Sequence, residues 1–346
     1  MSRLILQSQF RGITSVISCS RLWQRAAFSR SSVCQNASGK ISSSYVDAGY
    51  LGDALATDGS IETVQLKFDR HSPPQEPTIY KSPLIFLHGL FGSRSNTRTV
   101  AKQLAVKLDR DVYCLDLRNF GDSPHLPRLD YPSIAADVER FIEESKFPEF
   151  AKPILVGHSL GAKASMAVAL RRPELPKMIV AVDNCPVSVA GNDSSSSFGK
   201  YVNQLRLGIE KYKYTDIKDL DKLLAQVEPN ITVRQFLLTN VKRGRKEDPI
   251  TSKVPLDVIG KAIHAGNIAS WPYDSNVVRW TKGPALFIRG TNSPYIPDEV
   301  ISDIGKYFPD FEVRDVEAGH WLISENPTAF MDVLVEFIER KEDEEF

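Results

Sequence analysis

The segment PILVGHSLG, residues 153–161, carries a short apolar run into a turn in which two glycines flank a serine. It is followed by AKASMAVAL, residues 162–170, whose composition favours a helix. A strand, a tight turn and a helix in this order, with G-x-S-x-G at the corner, place the serine hydroxyl on a strained bend above the end of the strand. Ser159 is therefore the predicted nucleophile.

On both sides of this corner, short apolar runs alternate with amphipathic segments. Such runs predict buried parallel strands, and apolar residues spaced three and four apart predict helices that pack on a sheet. The predicted strands are residues 61–68 (half-exposed), 83–88, 112–117, 153–156, 178–183, 285–289 and 311–316, and the predicted helices include 97–108, 133–144 and 328–339. This order indicates an α/β fold with a mostly parallel central sheet and helices on both faces.

The alternation stops for a long stretch in the second half of the chain. A polar loop at 191–197 precedes a helical face formed by Phe198, Tyr201, Val202, Leu205, Ile209 and Tyr212. Helical segments at 219–228, 232–242 and 254–264 follow, and no strand is predicted among them. We predict an all-helical lid, residues 186–280, hereafter the insertion. The predicted core is then residues 46–185 and 281–340, with an acidic solvated tail at 341–346.

Composition excludes several classes of protein. Lysine plus arginine and aspartate plus glutamate both number 43, so no basic surplus indicates a nucleic acid partner. No apolar run reaches the roughly 20 residues of a transmembrane span. Neither H-E-x-x-H nor paired C-x-x-C occurs, so we expect no metal site and no cofactor. Cys114 and Cys185, the two cysteines that follow the first 45 residues, are too few for a disulfide framework.

The leader, residues 1–45, differs from the rest in composition. No acidic residue precedes Asp47, and five arginines are interleaved with apolar residues and serines. This composition is typical of mitochondrial transit peptides, and arginines interrupt every run that could form the core of a secretory signal. We predict recognition by the mitochondrial import machinery, cleavage between residues 25 and 45, and a matrix location. A disordered basic arm is the alternative.

A serine nucleophile needs a base, and the base needs a carboxylate that fixes its tautomer. His320 follows the last predicted strand, where a loop can carry an imidazole over the serine, and is the predicted base. Asp183 ends the strand after the nucleophile's helix. Since neighbouring strands lie about 4.8 Å apart, Asp183 emerges beside Ser159 and is the predicted acid. Asp298 is the alternative acid.

The oxyanion of an acyl-transfer reaction needs two backbone donors. The N–H of Leu160, directly after the nucleophile, is the first predicted donor. The turn HGLFG, residues 88–92, follows the first buried strand and supplies the second, the N–H of Leu90. Its glycines let the backbone approach a substrate closely.

Together, HGLFGS, LDLRNFGDSPH, GHSLGAK, AVDNCPV, IRGTNSPYI and AGHW resemble the mitochondrial α/β-hydrolase-domain family, which includes yeast ethanol acetyltransferases, small bacterial esterases and animal mitochondrial abhydrolases. The resemblance covers roughly residues 60–340. It implies an α/β-hydrolase fold and cleavage of acyl esters or thioesters, with transfer to an alcohol in some members. It also implies that the acid is Asp183. Most α/β-hydrolases carry the acid after the strand equivalent to 285–289, where this chain has Asn292 and Ser293.

These observations favour a mitochondrial serine hydrolase that forms an acyl-enzyme on Ser159 from a small acyl ester or an acyl-CoA. An alcohol acyltransferase that makes ethyl acetate from acetyl-CoA and ethanol would use the same residues. A non-catalytic binding protein on the same scaffold is a third interpretation, which the complete set of Ser159, Asp183 and His320 disfavours. Hydrolysis is expected to dominate in water, because the chain has no Gly-rich phosphate loop and only one basic cluster in the insertion, at 242–246.

Overall fold

The computed structural model of the chain describes residues 53–75, 79–188, 193–245 and 248–344, with residues 193–196 described by their backbone alone. The predicted transit peptide therefore lies outside the described residues. Nine strands are present in these ranges: β1 Phe68–His71, β2 Leu84–Leu87, β3 Val112–Leu115, β4 Ile154–His158, β5 Met178–Val182, β6 Val241–Lys242, β7 Thr251–Ser252, β8 Ala285–Gly290 and β9 Phe311–Val316.

Seven of these strands form the central sheet, in the order β1-β3-β2-β4-β5-β8-β9. Strand β1 is antiparallel to β3, and every other pairing in the sheet is parallel. The central strands are fully buried, as expected for a parallel sheet that is covered on both faces. The predicted mostly parallel sheet is confirmed.

The helices cover both faces of this sheet. They are α1 Arg98–Leu108, α2 Tyr131–Ser145, α3 Leu160–Arg171, α4 Asp193–Arg206, α5 Ile217–Leu224, α6 Ile231–Leu238, α7 Leu256–His264, α8 Ile301–Tyr307, α9 Leu322–Glu325 and α10 Pro327–Asp343. Helices α1 and α10 share one apolar layer with Leu84 and Phe86 of β2. Helices α2 and α3 share the other layer with Ile85 and Leu87, whose side chains point the opposite way.

The predicted strand at 61–68 is wrong except for its last residue. Side chains of Ile61, Val64 and Leu66 are buried, so the apolar residues of the pattern do face the core. The backbone N–H of Val64, however, donates to the Asp137 carboxylate and that of Lys67 to the Ser123 hydroxyl. Because side chains satisfy these donors, the segment is extended without joining the sheet until Phe68.

The insertion contains helices α4 to α7 and a short hairpin of β6 and β7, which contradicts the expectation that it has no strand. Val241 pairs with Ser252 and Lys242 with Thr251. Two residues per strand are too few to give a visible alternation. The helix predicted at 232–242 ends at Leu238 as α6, and α4 begins at Asp193, inside the predicted loop.

The predicted solvated tail is also corrected. Helix α10 continues to Asp343, and Glu342 forms two hydrogen bonds with the guanidinium of Arg110, at 2.9 and 2.7 Å. The Arg110 side chain is almost completely buried, so this ion pair ties the end of the chain to the core. No helix in the described ranges combines the length and apolar character needed to cross a membrane.

Candidate active site

The corner at Ser159 is a strained turn between β4 and α3. Ser159 has φ 53° and ψ −110°, a conformation that residues other than glycine rarely adopt. A Cβ added to Gly157 would lie 2.0 Å from the carbonyl oxygen of Gly161, and one added to Gly161 would lie 2.1 Å from that of Leu87. Neither position has room for a side chain, which explains the G-x-S-x-G pattern physically.

Asp183 directly follows β5, the strand that pairs with the nucleophile strand β4. Its side chain is fully buried. Oxygen Oδ1 accepts a hydrogen bond of 3.1 Å from the backbone N–H of Gly290, and Oδ2 accepts one from the hydroxyl of Ser293. These donors orient a buried carboxylate and compensate for its lost hydration.

His320 connects the carboxylate to the serine. Its Nδ1 lies 2.6 Å from Asp183 Oδ2, and its Nε2 lies 3.0 Å from Ser159 Oγ. With a carboxylate as acceptor, Nδ1 carries the proton, and Nε2 is left to accept a hydrogen bond from the serine hydroxyl. The structure thus brings the three predicted residues into one continuous chain of hydrogen bonds. Their catalytic roles stay a prediction.

Two aromatic rings hold the imidazole of His320 from its sides. The ring of Tyr295 stacks on it, with centroids 4.1 Å apart and planes 20° apart. His158 lies 5.0 Å away and donates from Nε2 to the backbone carbonyl of His320, at 2.7 Å. Burial, together with the neighbouring His320, lowers the pKa of His158 to about 4. His158 is therefore neutral near pH 7.

The alternative acid, Asp298, does not join this cluster. Its side chain is 82% exposed and pairs with Arg289. Ser293, by contrast, has no charge and is not a candidate acid, yet its hydroxyl binds the Asp183 carboxylate. The available signal was its position after β8, which pairs with β5 and so brings the two strand ends together.

Both predicted oxyanion donors line the cavity at Ser159. Leu160 is the first residue of α3, so its N–H has no acceptor within the helix. Leu90 lies in a turn that a 2.9 Å hydrogen bond from the N–H of Gly92 to the carbonyl of Gly89 closes. Neither the N–H of Leu90 nor that of Leu160 has a hydrogen-bond acceptor in the part of the chain that the structure describes.

His88 anchors the start of that turn. Its Nε2 accepts a 3.0 Å hydrogen bond from the N–H of Leu117, so Nδ1 carries the proton and donates to the carbonyl of Gly89 at 2.8 Å. Burial lowers the pKa of His88, which keeps this tautomer neutral. His88 therefore has a structural role in positioning the turn.

The cavity above Ser159 is small and has mostly apolar walls. The core and the insertion share them: Leu90, Tyr131, Ser159, Leu160, Asn184, Phe198, Ile263, Ile268, Ala269 and Tyr295. Of the predicted helical face of α4, Phe198 reaches the cavity, while Tyr201, Val202 and Leu205 are buried in the apolar layer. That face mainly packs the insertion onto the core.

Comparison with known proteins identifies the family. Residues 82–327 match the alpha/beta hydrolase fold family. The chain belongs to the α/β-hydrolase fold family. The predicted fold and the predicted family resemblance are both confirmed. In the described part of the chain, no cluster of His, Cys, Asp and Glu side chains is arranged to hold a metal ion.

The α/β-hydrolase chain is similar to enzymes of two kinds. It is 40% identical over 273 residues to a "Probable alcohol acetyltransferase" of Saccharomyces cerevisiae, covering 76% of this chain and 79% of the relative. It is 34% identical over 260 residues to the mouse "sn-1-specific diacylglycerol lipase ABHD11", covering 74% and 80%. Among solved structures, a "Marine microorganism esterase" superposes with a TM-score of 0.69 at 30% identity, covering 79% of this chain and 99% of that one.

Proposed function

We propose that this protein is a serine hydrolase that cleaves short-chain carboxylic esters or thioesters through an acyl-enzyme on Ser159. The observation that carries the proposal is the hydrogen-bonded chain from Ser159 Oγ through His320 to Asp183, at 3.0 and 2.6 Å. It ends on a nucleophile that lines a small, mostly apolar cavity, which suits small acyl groups. The esterase and lipase named among its relatives support the same chemistry.

In the proposed reaction, Ser159 Oγ attacks the substrate carbonyl carbon while its proton passes to Nε2 of His320. The N–H groups of Leu90 and Leu160 donate to the oxyanion that forms. His320 then gives the proton to the leaving alcohol or thiol, the bond to the leaving group breaks, and the acyl-enzyme remains. Water then attacks the carbonyl carbon of the acyl-enzyme while it gives a proton to Nε2 of His320. The bond to Ser159 Oγ breaks, Ser159 recovers the proton from His320, and the carboxylic acid leaves. Asp183 stabilises the imidazolium in both halves.

Mass spectrometry of the intact protein and of its proteolytic peptides tests this proposal. The purified protein is mixed with p-nitrophenyl acetate and quenched with acid within the first turnovers. We expect an added mass of one acetyl group on the peptide that contains Ser159, and none in Ser159→Ala. An adduct on another residue, or a Ser159→Ala variant that retains activity, would refute the acyl-enzyme on Ser159.

Alcohol acyltransfer is the second candidate, and the 40% identity with a yeast "Probable alcohol acetyltransferase" favours it. An alcohol that reaches the acyl-enzyme before water would release an ester instead of an acid. Incubation with acetyl-CoA over a series of ethanol concentrations, with acetate and ethyl acetate measured together, separates the two. We expect acetate to dominate until ethanol is abundant. Ethyl acetate as the main product at low millimolar ethanol would establish the transferase instead.

We further propose that residues 1–45 contain a leader that directs the protein through the mitochondrial import machinery to the matrix and is removed by cleavage between residues 25 and 45. The support is compositional: arginines and serines in an amphipathic segment that has no acidic residue before Asp47. Mass spectrometry of the protein purified from mitochondria should find a new N-terminus between residues 25 and 45. A mature protein that still begins near Met1 would contradict this.

A further inference from the structure

One short segment of the insertion, residues 236–240, touches two of the catalytic loops. At its start, the ring of Phe236 packs edge-on against Trp321, the residue after His320, with centroids 4.6 Å apart. At its end, Nδ2 of Asn240 donates a 2.8 Å hydrogen bond to the carbonyl of Phe91. Asn240 is buried, so water does not compete for this carbonyl.

The carbonyl that Asn240 binds belongs to a strained turn. Phe91 has φ 62°, in the left-handed region that favours glycine at this position of a turn. The turn holds Leu90 between the hydrogen-bonded Gly89 and Gly92. Such a conformation in a non-glycine residue persists only where its surroundings hold it.

Two side chains from different parts of the molecule hold this turn. From the core, His88 binds the carbonyl of Gly89 at 2.8 Å. From the insertion, Asn240 binds the carbonyl of Phe91. Asn240 is itself held in place, because its main-chain carbonyl accepts a 2.8 Å hydrogen bond from the backbone N–H of Lys253, which follows β7. The hairpin of β6 and β7 therefore helps to fix Asn240, and Asn240 in turn holds the turn from Gly89 to Gly92.

We propose that Asn240 is a positioning residue that couples the insertion to the oxyanion hole by holding the turn that carries the N–H of Leu90. The inference rests on the proposed function, in which that N–H binds the oxyanion. Asn240 acts through the backbone of Phe91 and does not touch the substrate. The insertion is then part of the catalytic machinery as well as a wall of the cavity.

The variants Asn240→Ala and Asn240→Asp test this in the full-length enzyme. The aspartate keeps the shape of the side chain but has no N–H to donate to the Phe91 carbonyl. Since one supporting hydrogen bond is lost and the donor itself remains, we expect kcat for p-nitrophenyl acetate to fall about tenfold in each, with KM within twofold. Complete loss of an oxyanion donor costs about 10²- to 10³-fold, which sets the upper limit.

Asn267→Ala is the matched control. Asn267 is another asparagine of the insertion, and its Nδ2 donates to the carbonyl of the core residue Leu129 at 3.4 Å. That carbonyl lies outside the turn that carries the N–H of Leu90. We expect its kcat to stay within twofold of wild type. An equal loss in the control would show general loosening of the insertion and overturn the proposal.

A second measurement separates oxyanion binding from folding. A trifluoromethyl ketone forms a tetrahedral adduct on the serine, so its inhibition constant reports the oxyanion hole, and active-site titration reports the folded fraction. We expect weaker inhibition by about the same factor as kcat, at an unchanged active fraction. Wild-type inhibition in both Asn240 variants would refute the role of Asn240, whereas an active Ser159→Ala would instead refute the proposed function.

Discussion

The sheet and the insertion build the same cavity by different means. Ser159 and Asp183 directly follow the parallel strands β4 and β5, and His320 lies in the loop after β9, four residues beyond its end. The insertion contributes apolar walls such as Phe198 and Ile263, supported on short helices. In the proposed reaction, residues at the strand ends carry out the attack on the acyl carbon, and the insertion forms part of the wall beside the acyl group. A variant at a strand end should reduce hydrolysis and transfer together, whereas a variant in the wall should change their ratio.

The largest effect is expected at Asp183. Asp183→Asn keeps the size of the side chain, and asparagine tolerates the φ of 52° found there. It removes the anion that stabilises the imidazolium of His320, so kcat should fall by about 10⁴ for acetate and ethyl acetate alike. Steady-state kinetics with both products measured would check this.

Asp298→Asn is the control for that substitution. Asp298 is exposed and pairs with Arg289, so we expect activity close to wild type. A comparable loss of activity in both variants would contradict the assignment of Asp183 as the acid. A loss in Asp183→Asn that affects only one product would contradict the claim that hydrolysis and transfer share the residues at the strand ends.

The second effect concerns Lys163, a core residue that contacts the insertion at two places. Its ammonium donates to the carbonyl of Val187 at 2.7 Å, lies 3.5 Å from that of Ala269, and sits over the rings of Tyr131 and Trp271. Burial lowers the pKa of Lys163 to about 8 from an ordinary 10.5. Below pH 8 both the folded and the unfolded chain carry this proton, and between pH 8 and 10.5 mainly the unfolded chain does.

Stability from this group therefore increases with pH over that range, by about 3 kcal/mol in the free energy of unfolding. Lys163→Met has a similar length and no charge, so the gain should be absent from it. Urea unfolding of both proteins at pH 7.5, 8.5 and 9.5 measures the difference between them. Parallel pH profiles would show that the Lys163 ammonium is not held in a buried environment.

The third effect is at Ser293, which links β8 to the acid. Ser293→Ala removes a hydrogen bond to a buried carboxylate, worth about 2 kcal/mol. We expect kcat to decrease by about 10- to 30-fold with KM little changed, again for both products. Ser293→Thr retains a hydroxyl and should recover most of the activity. Full activity in Ser293→Ala would remove Ser293 from the machinery, and a threonine variant as impaired as the alanine variant would show that the hydroxyl is not what matters.

The sequence allowed the strand ends to be predicted because their signals are local. At Ser159 the strand, the turn and the helix are contiguous, and steric exclusion at Gly157 and Gly161 requires glycine. Asp183 could be assigned because the spacing between neighbouring parallel strands is constant. Sites of this kind depend on short-range geometry, which a single sequence records.

The parts that could not be predicted depend on contacts between distant residues. Glu342 binds Arg110 across 232 positions, and Asn240 binds Phe91 across 149. Neither pair leaves a periodic or compositional signal. Residues 61–67 show the converse, since their alternation was real but their N–H groups at Val64 and Lys67 bind side chains instead of a strand.

The smallest effect, and the sharpest test of the comparison, is at Phe198 in the wall. Its ring lines the cavity and lies 6.4 Å from that of Phe91 and 5.9 Å from that of Tyr201. Phe198→Ala opens space beside the acyl-enzyme that water can enter. Because Ser159 and His320 are unchanged, acylation should proceed within about twofold of wild type, while the ratio of ethyl acetate to acetate should fall about three- to tenfold. Tyr212→Ala, which removes an exposed ring of the insertion, should leave the ratio unchanged. A ratio that is constant in Phe198→Ala would mean that the sheet edge, and not the insertion, selects between water and alcohol.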